Sequence, residues 1–342
     1  MTYYDGTGLL SQMDINGLKP EIYMVCSNRS DGKTTWFNRH VLKKYLDGHG
    51  KFMTIFRFEG EMDQLDKAFF GEISRLFYPE HEFGSEKFMK GAFHELYIDG
   101  ECCGYAAALN TADKLRRYSH LFADTERMIM DEFQSESGRY CQNEVSKFIS
   151  LHTTVARGGG KQVRYVPVYM CSNAVSMLNP YYRALKISAR LNNQTKFLRG
   201  EGWVLQQRYN EDVSKMQQES QFNRAFRDSS YVAYASQNVY LNDQLAFIEK
   251  ISEEMVYLAT IVYNKKRYGL RRTSSGLVYC SDSFDGSYPV VISVTVADHD
   301  VDQVLVSGGD WIRSDLKYMF NNGFFRFKNL DCKDAVMTML SV

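Results

Sequence analysis

The stretch that decides the fold runs from Glu21 to Thr35, EIYMVCSNRSDGKTT. Its first part, Glu21–Cys26, is short and mostly apolar, as expected of a buried strand. A loop of turn-forming residues follows. Trp36–Leu46 (WFNRHVLKKYL) then carries apolar residues at helical spacing. Strand, loop and helix close on Gly32-Lys33-Thr34, approximating the phosphate-binding pattern G-x-x-x-x-G-K-[ST] with Ser27 in place of the first glycine. That chemistry needs backbone N–H groups turned inward around phosphate and a helix N-terminus adding partial positive charge. Ser27, Asn28, Arg29, Ser30, Asp31, Gly32, Lys33, Thr34 and Thr35 would then surround the phosphates of ATP. Lys33 would reach the β- and γ-phosphates, and the Thr34 hydroxyl would ligate Mg²⁺. An ordinary strand–turn–helix connection with an incidental Gly-Lys-Thr has the same outline.

Further along, Arg127–Met130 (RMIM) reads as another buried strand, and it ends in Asp131-Glu132. An acidic pair at a strand end suits a Walker B arrangement, with Asp131 holding Mg²⁺ and Glu132 polarising the attacking water. Such a pair also caps ordinary segments. The combination is what points to nucleotide, since both motifs fall at C-terminal strand ends, where open α/β sheets bind ligands. Val168–Asn173 (VYMCSN) is a third such strand. Asn173 reads either as a contact to the γ-phosphate or lytic water, or as a turn residue after a core strand. Arg157 lies between a helical stretch, Asn143–Val155, and Gly158-Gly159-Gly160. It suits an arginine finger reaching a neighbour's site, and equally a cation at a helix C-terminus.

The remaining pattern extends this frame. Phe52–Phe58 and Gln162–Met170 read as strands, and Asp63–Phe77 as an amphipathic helix. Asp99-Gly100 between alternating apolar residues predicts a hairpin. Alternating strands and helices predict an α/β, P-loop nucleotide-binding domain over residues 1–190. The character then changes. Residues 191–228 contain the polar, Gln-rich Asp212–Phe226 and read as a helical linker. Residues 229–342 read as a smaller, strand-rich α+β domain with helices near Trp311–Phe320 and Lys333–Leu340.

Composition narrows the function classes. The chain has 342 residues, 44% hydrophobic, so wholesale disorder is excluded. Lys+Arg and Asp+Glu are both 41, which excludes a uniformly basic DNA binder but permits local basic patches. Five such charges, Lys265, Lys266, Arg267, Arg271 and Arg272, crowd into KKRYGLRR. They suit phosphate contacts without sequence readout, and they equally suit an exposed hairpin. The 7 cysteines form no C-x-x-C pair, which argues against a zinc ribbon or disulfide scaffold and for a reducing compartment. No apolar run approaches the roughly 18 residues of a membrane span, and the N-terminus predicts no signal peptide. A nuclease would need converging carboxylates on two metal ions. Asp243, Glu249, Asp282, Asp285, Asp298 and Asp300 sit mostly in turn-like contexts that read as a solvated acidic surface.

The segments CSNRSDGKTT, RMIMDEF, NEVSKFISLHTTVAR and CSNAVSMLNPYY together resemble the DNA-encapsidation ATPases of small podoviruses. FIEK (247–250), IVYN (261–264) and NGFFRF (322–327) continue the resemblance through the second domain. It implies an additional-strand, catalytic-glutamate ring ATPase with a linker and a C-terminal domain resembling a vestigial RNase H-like nuclease. It implies ATP and Mg²⁺ as cofactors. The implied function is ATP-driven translocation of double-stranded DNA into a procapsid. The implied partners are the portal and, in some members, a phage structural RNA, with the protein as a homopentameric ring and no membrane. The implied place is the host cytoplasm, transiently on the procapsid vertex and outside the mature virion.

By resemblance, Lys33 and Thr34 match the P-loop lysine and the Mg²⁺-binding hydroxyl, and Arg29 an arginine frequent in packaging P-loops. Asp131 and Glu132 match the Walker B aspartate and catalytic glutamate. Arg157 matches the trans arginine finger, and Asn173 the motif coupling hydrolysis to movement. Lys114 resembles a trans-acting lysine, at a different spacing from Asp131. The family's pore-facing lysines are absent from FRFEGEMD and DEFQSESGRY, where Arg57 and Arg139 are the candidates to replace them. Two alternatives stay open: a terminase-like ATPase with an active metal-dependent nuclease, and a non-hydrolysing nucleic-acid-binding scaffold with a degenerate P-loop.

Overall fold

The computed structural model describes residues 3–64, 70–157, 163–176, 179–187, 190, 196–226, 247–306 and 311–341. Gly158–Gly160 and Asp243 lie outside the described residues. The chain divides into two compact units, one of Met1–Leu185 with Leu191–Asn242, the other of Lys186–Arg190 with Asp243–Val342.

The first unit carries strands β1 (Ile22–Ser27), β2 (Lys51–Phe56), β3 (Phe83–Phe88), β4 (Phe93–Ile98), β5 (Glu101–Ala108), β6 (Thr125–Asp131), β7 (Val168–Asn173), β8 (Phe197–Gly200) and β9 (Trp203–Gln207). Its helices are α1 (Thr7–Leu10), α2 (Lys33–Gly48), α3 (Gly71–Phe77), α4 (Ala112–Leu115), α5 (Glu144–Ala156), α6 (Pro180–Ala184), α7 (Glu211–Glu219) and α8 (Gln221–Ala225). The strands form one 9-stranded sheet in the order β3-β4-β5-β2-β6-β7-β1-β9-β8. Its centre, β5 to β9 in that order, is parallel throughout. Antiparallel pairs close both edges, β4 with β3 and β9 with β8.

Burial on both faces explains the apolar strands at the centre. α2 packs Phe37, Val41, Leu42 and Tyr45 into the core that also holds Val25, Phe52, Ile129, Tyr169 and Cys171. Gly104 lets β5 approach β2, because a Cβ there would meet the Phe52 carbonyl oxygen at 2.3 Å. The β4–β5 hairpin turns at Asp99 (φ 52°) and Gly100 (φ 82°), both left-handed, as an Asp-Gly turn requires.

Three local readings change. Asp63–Phe77 is not one helix among the described residues. A 3-10 turn spans Glu59–Gln64, α3 begins at Gly71, and residues 65–69 lie outside the description. The strand expected at Gln162–Met170 begins at Val168, immediately after Pro167, whose ring nitrogen has no hydrogen to donate to a ladder. The stretch read as linker contributes the β8–β9 hairpin, and β9 lies parallel against β1, beside the loop that joins β1 to α2. The polar helix expected there is present as α7 and α8.

The second unit holds β10 (Met255–Tyr263), β11 (Lys266–Thr273), β12 (Val278–Ser281), β13 (Val291–Ser293), β14 (Val304–Leu305), β15 (Phe325–Phe327), α9 (Trp311–Asn321) and α10 (Leu330–Ser341). The sheet order is β14-β13-β10-β11-β12-β15. β10, β11 and β12 form an antiparallel meander, and β13 and β14 extend it in parallel from β10. Phe325, Phe327, Cys332 and Val336 pack α10 and β15 into the unit's core. Phe324, by contrast, is exposed.

Candidate nucleotide site

β6, β7 and β1 are neighbours, so their C-terminal ends share one edge of the sheet. In register, Asp131 pairs with Cys171, and Asn173 with Ser27. Two motifs distant in sequence are thereby brought together with the Asn173 strand.

The loop after β1 curls because Ser30 (φ 66°) and Gly32 (φ 92°) are left-handed. Position 32 favours glycine, since a Cβ in that conformation is strained. Gly32 is also the N-cap of α2, and no side chain caps that helix end. First-turn N–H groups are thereby left for an anion. Lys33 is only 5% exposed. Its Nζ donates to Ser27 Oγ at 2.9 Å, Asn28 O at 3.1 Å and Asn173 Oδ1 at 3.2 Å. Burial is the main influence pushing this ammonium below the ordinary lysine pKa, opposed by nearby anionic groups including Asp31 and Asp131. The serine that replaces the usual glycine therefore supplies a hydroxyl partner for Lys33.

Asp131 Oδ1 accepts from Cys171 Sγ at 3.1 Å and from the Glu132 N–H at 2.9 Å. Asp131, Glu132 and Thr34 line a cavity of about 480 Å³ together with Asn38, Thr54 and Arg57. A hydroxyl and a carboxylate facing one cavity are a hard-oxygen set that suits Mg²⁺. Glu132 adopts φ 51°, an uncommon conformation for a non-glycine residue. Displacement of water by surrounding atoms pushes its carboxyl above the ordinary range, and the Asp131 and Glu136 carboxylates push it further. The residue as a whole nonetheless keeps solvent exposure.

Arg57 holds this turn from behind. Its Nη2 donates to Glu132 O at 3.2 Å and Phe133 O at 3.0 Å. Its Nε reaches the two oxygens of Glu144 at 3.1 and 2.9 Å. Glu144 also accepts from Tyr181 Oη at 2.9 Å and the Cys141 N–H at 2.9 Å. Arg57 is 8% exposed, so the expectation that it grips DNA is corrected: its guanidinium is committed to Glu144 and the Glu132 turn. Arg139 is exposed and lies over the Phe58 ring, 5.6 Å from its centroid.

Several residues with roles here carry no sequence signature. Glu136 accepts from Arg29 Nη1 and Asn173 Nδ2, each at 3.3 Å, and so links the loop to β7. Arg208 and Asn210 bind Asp31 inside the loop. Arg157 and Lys114 stand apart from this edge. Arg157 caps α5 with an exposed side chain that makes no hydrogen bond or ion pair among the described residues. Lys114, on α4, lies 3.7 Å from Glu59. Neither touches the phosphate loop among the described residues.

In the second unit the acidic residues serve local structure. Asp298 accepts from the Asn264 and Lys265 N–H groups at 3.1 and 2.8 Å and fixes the β10–β11 turn. Asp282 binds Lys328, Glu249 binds Arg326, Asp285 binds Ser287, and Asp300 accepts from the Val301 N–H. No group of three or more His, Cys, Asp or Glu poised to hold a metal occurs among the described residues. The basic cluster occupies the β10–β11 hairpin, with Lys265, Lys266, Arg267 and Arg272 exposed. Among the described residues, no helix is long and apolar enough to cross a membrane.

A parallel α/β sheet with a lysine-bearing loop at the start of a helix, and an acidic pair two strands away, defines the P-loop nucleotide-binding class. The sequence matches the family described as podovirus DNA encapsidation protein (Gp16) over residues 2–341, and the chain belongs to that family. It is 26% identical over 310 residues to the DNA packaging protein of Bacillus phage phi29, covering 89% of each chain. Its identity to the DNA packaging protein of Bacillus phage B103 is 27% over 312 residues, covering 89% of this chain and 92% of the relative. The fold is similar to a chain of the bacteriophage Phi-29 genome packaging motor assembly, with TM-score 0.68, 21% identity and coverage of 99% and 97%. It is also similar to the Phi-28 gp11 DNA packaging motor, with TM-score 0.63, 17% identity and coverage of 99% and 98%.

Proposed function

We propose that this chain is an ATP-hydrolysing motor that drives double-stranded DNA into a procapsid. It works as a pentameric ring at the portal vertex in the host cytoplasm and is absent from the mature virion. Family membership supports the packaging role. One observation carries the enzymatic reading: buried Lys33 and its partner Asn173 stand on the same sheet edge as Asp131 and Glu132. A scaffold with a dead P-loop has no need of that convergence.

Lys33 exchanges its contacts to Ser27 and Asn28 for phosphate oxygens, with no large movement, because its ammonium already points into the loop. Thr34 and Asp131 are the residues that would hold Mg²⁺, which when bound neutralises charge building on the phosphates. Glu132, with its raised pKa, accepts a proton from the attacking water more readily than an ordinary carboxylate. Asn173 contacts both Lys33 and Glu136 and so senses whether the loop is filled. Arg157 and Lys114, remote from their own site, act on a neighbouring subunit. The β10–β11 hairpin offers cations to a phosphate backbone, whether DNA or a structural RNA. The local bonding of the second unit's carboxylates supports a domain that does not cut DNA.

Mixing Arg157→Ala with Glu132→Gln subunits tests the shared site. Each variant alone should be inactive, and the mixture should recover a fraction of wild-type ATP turnover. No recovery at any ratio, with rings still assembling, would refute action in trans.

A further inference from the structure

The segment between β9 and α7 is bonded to the phosphate loop through Arg208 and Asn210. The Arg208 N–H donates to Cys26 O at 2.9 Å, which continues the β1–β9 ladder. Arg208 Nε binds Asp31 Oδ2 at 3.1 Å, and Asn210 Nδ2 binds Asp31 Oδ1 at 2.7 Å. The Asn210 N–H donates to Asn28 Oδ1 at 3.0 Å, and Asn28 Nδ2 returns a bond to Asn210 O at 3.2 Å. Asn28 and Asp31 are 1% and 0% exposed, and Asn210 is 7% exposed. A buried carboxylate inside a loop that receives phosphate repels its ligand unless neutralised, and Arg208 supplies the neutralising charge.

Asn210 has a second task. Its Oδ1 accepts from the Val213 N–H at 3.2 Å and caps α7. Further along that helix, Gln217 Nε2 donates to Arg29 O at 3.3 Å. α7 is thus tied to the loop at its first turn and again near its end.

We infer that Arg208 and Asn210 are positioning residues of the phosphate-binding loop, and that Asn210 makes the first turn of α7 respond to nucleotide. The inference rests on the nucleotide-site reading above. Phosphate that takes Lys33 Nζ from Asn28 O changes the bonding of Asn28, and Asn210, which exchanges two bonds with Asn28, passes that change to its cap on α7. α7 opens the stretch of chain that leaves the sheet, so loop occupancy acts on the start of that stretch.

Asn210→Asp separates the two tasks. Aspartate caps a helix as well as asparagine does, but it sets a second carboxylate oxygen against Asp31 in place of a donor. The full-length protein is titrated with fluorescent mant-ADP and Mg²⁺, and amide exchange is followed over residues 213–219 with and without nucleotide. Wild type should bind, and its α7 exchange should change on binding. Asn210→Asp should bind about tenfold more weakly, keep wild-type α7 protection in the empty state, and lose the nucleotide response. Arg208→Ala leaves buried Asp31 without its cation; in protein whose circular dichroism matches wild type it should weaken binding several-fold, and Arg208→Lys should restore part of it.

Wild-type binding accompanied by unchanged α7 exchange would overturn the coupling. Arg208→Ala or folded Asn210→Asp binding within about twofold of wild type would overturn the positioning role. Wild type that binds no nucleotide would instead overturn the nucleotide-site reading itself.

Discussion

Replacing Arg57 with methionine should be among the most damaging single changes in the first unit. The side chain is buried, and its guanidinium binds both oxygens of Glu144, itself 3% exposed, and the backbone carbonyls of Glu132 and Phe133. Methionine fills similar volume but leaves the Glu144 carboxylate buried without its cation. Stripping one partner from a buried pair costs about 3–5 kcal/mol. Glu144 keeps its bonds from Tyr181 and Cys141, so the lower end, about 3 kcal/mol, is expected. With a urea slope of roughly 2–3 kcal/mol/M, the midpoint should fall by about 1–1.5 M. Fluorescence in a Trp311→Phe background reads this, because Trp36 and Trp203 both belong to the first unit. Adding Glu144→Gln removes the stranded charge while keeping an acceptor for the Tyr181 hydroxyl and the Cys141 N–H, and should recover part of the loss. The turn carrying Glu132 also loses its clamp, so kcat should drop more than nucleotide affinity. A loss below about 1 kcal/mol, or a double variant no more stable than the single one, would refute the reasoning.

Three further outcomes are expected. His40 stacks on Trp36 at 5.0 Å, and burial, helped by the Lys44 and Arg127 charges, lowers its pKa from 6.5 to about 4. The neutral ring therefore contributes stability above pH 6.5 that is lost as pH falls toward 4; the urea midpoint of His40→Phe should fall less over that window than wild type's. The raised pKa of Glu132 means that kcat/KM, which reports the free enzyme, should be lost on acidification at a pH above this carboxyl's ordinary value of 4.5; a pH–kcat/KM profile whose acid limb lies below that value would contradict it. Asp298→Ala removes the acceptor for two turn N–H groups and the Thr295 hydroxyl, so the second unit should lose about 1–2 kcal/mol in urea while ATP turnover at low temperature is unchanged.

Much of the first unit was legible because its signals are local. A buried run before Ser27 and helical spacing after Lys33 specify strand and helix within one stretch, and Asp99-Gly100 specifies its own turn. The acidic pair and Asn173 were placed by the same logic, each at the end of an apolar run. What escaped depends on pairing across distance. β8 and β9 are short; Val204 and Leu205 reveal their purpose only beside β1, and Leu198 only beside Leu205. β3 (FGSEKF) is an edge strand too polar to read as one. Arg57 looked like a surface cation because Glu144, its buried partner, lies 87 residues away. Glu136, Arg208 and Asn210 are ordinary polar residues in sequence and acquire meaning only from the loop they touch. Of the acidic residues of the second unit, Asp285, Asp298 and Asp300 bond backbone at turns, as their sequence contexts imply, whereas Glu249 and Asp282 pair with Arg326 and Lys328, distant partners with no local signal.

Under the proposed function, the edge formed by β1, β6 and β7 hydrolyses ATP to move DNA. ATP turnover measured against protein concentration, with and without double-stranded DNA, for wild type and Glu132→Gln, tests it most directly. Turnover should rise cooperatively with concentration, respond to DNA and vanish in the variant. Turnover that is flat, indifferent to DNA and shared by Glu132→Gln would contradict it.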